Sequence, residues 1–203
     1  MPTDRAFTAS TSHRGTRFRP GRMASVPTYV VLLRGVNVGR ARAVPMGPLR
    51  DALGAVGHAE VRTYVQSGNV VLRSRSSASR VAESVHDVVA DLSGLDVAVV
   101  VRTAAEVGDV AAHTPFLRRP GADPGRQLHV AFLEDRPAAA AAAGLDPHRA
   151  APEELFVRGR EVYLWCPNGM GRSRVMVGVE RALGTAATVR NWRTVLELAR
   201  MAG

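Results

Sequence analysis

Val61-Arg62-Thr63-Tyr64-Val65-Gln66-Ser67-Gly68-Asn69-Val70-Val71-Leu72-Arg73 constrains the fold more than any other stretch. Two runs rich in β-formers meet at Ser67-Gly68, where glycine can supply the positive φ of a two-residue hairpin turn. That turn predicts Gln66 opposite Asn69, Tyr64 opposite Val71 and Arg62 opposite Arg73. One face then carries Val61, Thr63, Val65, Val70 and Leu72 toward a core. The other presents Arg62, Tyr64, Gln66, Asn69, Val71 and Arg73. Arginines directly opposite one another are disfavoured, so a nearby carboxylate or a bound phosphate is expected to offset them.

The flanking sequence places this hairpin inside a β-α-β-β-α-β order. Tyr29–Arg34 reads as a strand and Pro48–Val56 as a helix stopped by Gly57. Ser79–Leu92 reads as a helix with Val81, Val85, Val88, Val89 and Leu92 on one stripe, and Val97–Arg102 as a strand. Thr103 and Glu106 have capping-box spacing for a short helix reaching His113. Residues 114–126, with Pro115, Pro120, Gly121, Pro124 and Gly125, read as a linker. The pattern then repeats: strand 128–133, helix 137–143, strands 154–157 and 161–166, a helix 172–183 after a Gly-rich turn, strand 185–189, and a closing helix 192–201. The predicted fold is α+β, two tandem ferredoxin-like α/β plaits with appended helices. The expected divisions are a disordered basic tail (1–24), a first plait with trailing helix (25–113), the linker (114–126) and a second plait with C-terminal helix (127–203).

Charge is unevenly placed. All 27 basic residues are arginine, so every cationic site is a permanently charged planar fork suited to phosphate or carboxylate. Residues 1–22 carry +4, residues 23–157 are balanced and residues 158–203 carry +5. The tail lacks the apolar residues to offset its ordering entropy. A basic arm touching nucleic acid, or translation starting at Met23, are the alternatives. The single cysteine, Cys166, excludes an internal disulfide and is expected to be a packing thiol in a reducing compartment. The histidines are too scattered for a local metal motif. The longest apolar runs are too short to span a bilayer, and no apolar segment follows the N-terminal arginines. A cytoplasmic protein without membrane, metal or cofactor is expected.

Several motifs occur in order: Leu-Leu-Arg-Gly-Val-Asn-Val-Gly (32–39), Thr-Tyr-Val-Gln-Ser-Gly-Asn-Val-Val (63–71), Gly-Arg-Glu-Val-Tyr-Leu (159–164), Gly-Arg-Ser (171–173) and Arg-Asn-Trp-Arg-Thr-Val (190–195). Together they resemble an uncharacterised bacterial family catalogued as domain of unknown function 1697, over about residues 26–200. The resemblance implies the fold of two plaits and carries over no activity, cofactor or catalytic residue. The arginine-rich tail departs from the family pattern.

Three places invite an anion. The loop Arg34, Gly35, Asn37, Gly39 leaves a strand toward a helix, where backbone amides can cradle phosphate and Arg34 can clamp it; a tight connection needing two glycines is the alternative. Asn168, Gly169, Gly171, Arg172, Ser173 and Arg174 precede a predicted helix, and the arginines there oppose its macrodipole unless something anionic sits among them. Tyr163 and Trp165 share the face of a second-plait strand that its helices do not cover, as Arg62, Tyr64, Gln66 and Asn69 share the polar side of the hairpin in the first. That face is either open for stacking bases or closed as a core between the plaits. His129 alternates away from Leu128, Val130 and Phe132 and is expected as a polar group on an open face. The expected function is non-catalytic binding of a phosphate-bearing ligand, single-stranded nucleic acid or a nucleotide. The alternative is a small enzyme on a phosphorylated or carboxylated metabolite in the cleft between plaits.

Overall fold

The structure is a computed structural model, and it describes residues 25–38, 42–118 and 123–203. The tail, Gly39 and part of the linker lie outside the described residues. Within them the chain is α+β, with two four-stranded antiparallel sheets. The first half runs β1 (Thr28–Leu33), α1 (Met46–Ala55), β2 (Ala59–Tyr64), β3 (Asn69–Arg73), α2 (Ala78–Ser93), β4 (Val99–Thr103) and α3 (Ala104–Ala112). The second half runs α4 (Pro124–Gln127), β5 (Leu128–Leu133), α5 (Ala139–Ala143), β6 (Glu154–Arg158), β7 (Glu161–Trp165), a 3-10 turn (Met170–Arg172), α6 (Val179–Leu183), β8 (Ala187–Asn191) and α7 (Trp192–Ala202). The sheet orders are β2-β3-β1-β4 and β6-β7-β5-β8, one repeating the other. Among the described residues no helix is long and apolar enough to cross a membrane.

Local signals act where expected. Val81, Val85, Val88 and Val89 bury one stripe of α2, and Gly94 ends it at φ 68°. Thr103 caps α3 in a complete capping box with Glu106, and Asn191 caps α7 from the equivalent place. Leu92 lies 37% exposed at the margin of its stripe.

The hairpin departs from the two-residue turn. Tyr64 pairs with Asn69 and Arg62 with Val71, so Val65-Gln66-Ser67-Gly68 form a four-residue loop. Slipping the register by two keeps every strand residue on its expected face but pulls Val65 out of the core, to φ 49° and 54% exposure. Gly68 explains the preference. At φ 71° a Cβ there would lie 2.5 Å from Val36 Cγ2 and 2.8 Å from Leu33 Cβ. The arginine pair also dissolves: an irregularity between Ala59 and Arg62 brings Glu60 within 2.6 Å of Arg73.

Each sheet has two covered faces. On one, α1 and α2 pack over Val31, Leu33, Val70 and Leu72 of the first half. In the second half the corresponding face buries Ala131, Leu133, Val162, Leu164 and Cys166 with α6. The remaining faces meet in a third core built from both halves, where Val30, Leu32, Val71, Val100, Leu128, Val130, Phe132, Tyr163 and Trp165 pack with α3 and α7. The open sheet face is therefore corrected: Tyr163 is 0% and Trp165 6% exposed. His129 is corrected too, because its side of β5 is the one facing the second half's own core, and it is buried.

Two buried arginines cross the seam between halves. Arg102 of β4 gives Nη2 to the carbonyls of Leu133 (2.6 Å) and Arg160 (3.2 Å), and Nε to Glu161 Oε1 (2.8 Å). Arg190 of β8 gives Nη2 to the carbonyls of Leu33 (2.8 Å) and Gly68 (3.3 Å), and Nε to Asn69 Oδ1 (2.5 Å). Each guanidinium thus grips the end of the first strand and the hairpin turn of the opposite half. Arg102 is 1% and Glu161 15% exposed at the side chain, and removing one partner of such a buried pair costs ~3–5 kcal/mol. Arg102→Met is expected to lower unfolding free energy by about 3 kcal/mol in denaturant melts, and Arg102→Met with Glu161→Gln to recover part of the loss.

Candidate functional site

The seam leaves two grooves at equivalent places. The first, of about 390 Å³, is lined by the end of β1 and its loop (Leu33, Arg34, Gly35, Val36, Val38), by Ser67, by β8 (Ala187, Thr188, Val189, Arg190, Asn191) and by Thr194. The second, of about 490 Å³, is lined by Ala105, Glu106, Asp109, Arg136, Arg158, Gly159, Arg160 and Glu161.

Their electrostatics differ. The second groove holds three arginines and three carboxylates, and is neutralised from within. Arg160 bonds Glu106 at 2.6 Å and Arg158 bonds Asp109 at 2.6 Å. Desolvation pushes Glu106 up, but bonds from the Thr103 amide and hydroxyl and from Arg160 hold its carboxyl below the usual range. The first groove has Arg34 and Arg190 and no carboxylate in its lining. Asn69 and Thr194 occupy the places that Glu161 and Glu106 occupy across the seam.

Arg190 is 8% exposed and has no carboxylate partner among the described residues. Its Nη1 donates to Thr188 Oγ1 (2.7 Å) and the Val189 carbonyl (2.9 Å), so its donors are shared among neutral acceptors. Burial lowers its pKa to about 10, leaving it charged at neutral pH. Arg34 stands at the mouth, 43% exposed, with Nη2 at 2.9 and 3.0 Å from the two Glu180 oxygens. Glu180 Oε1 also accepts the Ala187 amide at 2.7 Å.

The structure gathers only some of the sequence-predicted residues here. Arg34 and Gly35 line the first groove. Asn37 lies beside it at φ 55°, but its side chain staples the loop, accepting from Val44 N at 2.8 Å and donating to Val44 O at 3.0 Å. Gln66 is exposed on the turn, and Asn69 lies beneath the groove at 0% exposure. Arg62 reaches the Met201 carbonyl at the end of α7, and Tyr64 is half-buried against the shared core. Tyr163 donates its hydroxyl to the Val110 carbonyl in that core.

Asn168, Gly169, Gly171, Arg172, Ser173 and Arg174 sit apart from the groove, and no α-helix starts there. A 3-10 turn covers Met170–Arg172, and α6 begins only at Val179. Ser173 Oγ accepts the Val175 amide and Glu153 accepts the Arg174 amide, holding the turn down. The macrodipole argument for that segment is thereby removed. Sequence reasoning missed Thr188, Arg190, Asn191 and Thr194. The available signal was the recurrence of Val-Arg-Thr (101–103) and Val-Arg-Asn (189–191) at the last strand of each half.

Cys166 is buried, and burial pushes its thiol up to about 11, consistent with packing. Among the described residues no group of histidine, cysteine, aspartate and glutamate is placed to hold a metal.

The family model described as "Protein of unknown function (DUF1697)" matches residues 26–163. No curated protein matches the chain. Among solved structures, the chain is similar to the conserved bacterial protein SP0830 from Streptococcus pneumoniae, at 19% identity and a TM-score of 0.65, covering 88% of this chain and 100% of that one. At that identity the likeness is one of fold.

The Nδ1 atoms of His58 and His129 are buried without a hydrogen-bond partner, and burial lowers both pKa values below the ordinary 6.5. Both side chains are neutral in the folded protein where the unfolded chain is already protonated, so stability falls as pH drops below about 6.5. Thermal melts are expected to show a lower midpoint at pH 5.5 than at pH 7.5, with a smaller drop in His129→Leu.

Proposed function

The chain belongs to the DUF1697 family, and we propose that it binds a small phosphate-bearing ligand, a nucleotide or similar phosphate ester, in the groove between Arg34 and Arg190. The observation that carries this reading is the contrast between the two grooves: equivalent in position, one is internally neutralised, whereas the other is lined by two guanidiniums of which only Arg34, at the mouth, meets a carboxylate, that of Glu180. A volume of about 390 Å³ is that of a small-ligand site. Ser67, Thr188, Asn191 and Thr194 add hydrogen-bonding groups around the charge. These described lining residues hold an anion but include no imidazole or thiol to move a proton, so the reading is binding without chemistry. Base stacking on Tyr163 and Trp165 plays no part in it, because both rings are buried.

We read each half as a ferredoxin-like plait. The repeated strand order, with α1 and α2 over one face of the first sheet, α6 over that of the second, and the other faces turned inward, supports this. The groove then lies at the junction of the two plaits, where the β1 loop of one meets the last strand of the other.

Calorimetric titration of the full chain with AMP at low salt is expected to show one site. Affinity should weaken with added salt, as for any partly exposed ion contact. Arg34→Ala should cost about tenfold or more, the worth of a hydrogen bond to a charged group, ~1.5–3 kcal/mol. Glu180→Gln should tighten binding severalfold by releasing Arg34. Absence of binding of both AMP and inorganic phosphate at low salt would end the proposal. A mixed oligonucleotide pool binding with a steep salt dependence would instead favour a nucleic-acid partner.

A further inference from the structure

Arg102 and Arg190 occupy the same place in the two halves and make matching bonds to carbonyls across the seam. They differ in one respect. Glu161, the first residue of β7, gives Arg102 a carboxylate, whereas Asn69, the first residue of β3, gives Arg190 an amide. Glu106, at the third position of α3, adds a second carboxylate to the first half's side of the seam, where α7 has Thr194. A buried guanidinium without a counter-charge is costly even when its N–H groups are bonded, since neutral acceptors do not cancel its field. Arg190 lines the groove and Asn69 lies beneath it, so the side from which an anion can approach is the groove itself.

We infer that the anionic group of the bound ligand is the missing counter-ion of Arg190, and that it is a terminal phosphate monoester. This rests on the binding reading above and specifies its ligand. A monoester carries close to two negative charges at neutral pH, with its second pKa near 6, enough to face the unpaired charge of Arg190 and to compete with Glu180 for Arg34. The internal diester of a nucleic acid carries one. Arg190 already gives its donors to the protein, so it acts through its charge. Direct hydrogen bonds come from Arg34 and from the hydroxyls of Ser67 and Thr194. Because Arg190 is in β8 and bonds to β1 and the first hairpin, the ligand also strengthens the seam between halves.

Asn69→Asp tests the charge from beneath the groove; it also removes the Nδ2 donation to Ser67 Oγ (2.8 Å) and the Tyr64 carbonyl (3.2 Å), which the second variant below leaves intact. It places a carboxylate oxygen where Asn69 Oδ1 already meets Arg190 Nε, giving Arg190 an internal partner of the kind Arg102 has. In the full-length protein, AMP affinity at pH 7.5 is expected to fall at least tenfold, and the AMP-induced rise in melting temperature to disappear. Thr194→Glu, which restores at Asn191 the capping-box pattern of Thr103 and Glu106, serves as a second variant. It should bind AMP at least tenfold more weakly than the similarly sized Thr194→Gln. Wild-type affinity for AMP should drop between pH 7.5 and pH 5 as the phosphate takes up a proton, and the dinucleotide ApA, with only an internal phosphate, should bind at least tenfold more weakly than AMP. If Asn69→Asp and Thr194→Glu bind AMP as tightly as wild type while Arg34→Ala does not, the counter-ion role of Arg190 is overturned and the groove remains a binding site. Equal affinity for ApA and AMP overturns the monoester assignment. No binding of AMP or inorganic phosphate to the wild-type chain overturns both.

Discussion

A guanidinium removed from water must be surrounded by acceptors, and the two halves satisfy that requirement only together. Arg102 and Arg190 each leave the last strand of one sheet and end on carbonyls of the other half. Neither half contains a complete shell for its own arginine. The apolar contacts beneath them obey the same logic, since Tyr163, Trp165, Val30 and Leu32 belong to one core drawn from both sheets. The polar exchange and the apolar seam fix the same relative position, and α3 and α7 pack into it beside them.

The repeat is close in backbone and loose in charge. Equivalent hairpins, equivalent capped helices and equivalent arginines frame two grooves, but only one groove closes its electrostatics with its own side chains. Position alone therefore does not set the charge of a groove here. The substitution of an amide and a hydroxyl for two carboxylates leaves the buried Arg190 without the acidic partner that Arg102 has in Glu161.

Much of the fold could be read from the residues because it rests on local rules. The stripe of valines in α2, its stop at Gly94 and the capping box at Thr103 each act within one element, so their partners are near in sequence. The failures are non-local. The hairpin opens into a four-residue loop in which Gly68 packs so closely on Leu33 and Val36, more than thirty residues away, that no side chain fits. The segment after Gly169 turns instead of forming a helix because Glu153 and Ser173 hold its backbone. Strand parity correctly put Tyr163 and Trp165 on the face away from the helices of their own half, but whether a second sheet covers that face is a tertiary question. Arg34 and Gly35 were visible as part of a loop motif. Arg190 stood in the motif at 190–195, but its place in the groove was not legible, because an arginine in a strand gives no sign that its neighbour 121 positions away is an amide and not an acid.

The shared core also orders events in time. As the chain leaves the ribosome, the first sheet can form once β4 has emerged, yet its inward face, with Val30, Leu32, Val71 and Val100, finds its full cover only when Trp192, Val195 and Leu198 arrive. For much of synthesis the nascent first half carries an unsealed oily surface and an arginine at residue 102 whose carboxylate has not yet been translated. Emergence of α7 is thus the step that shields it from chaperones and from its neighbours.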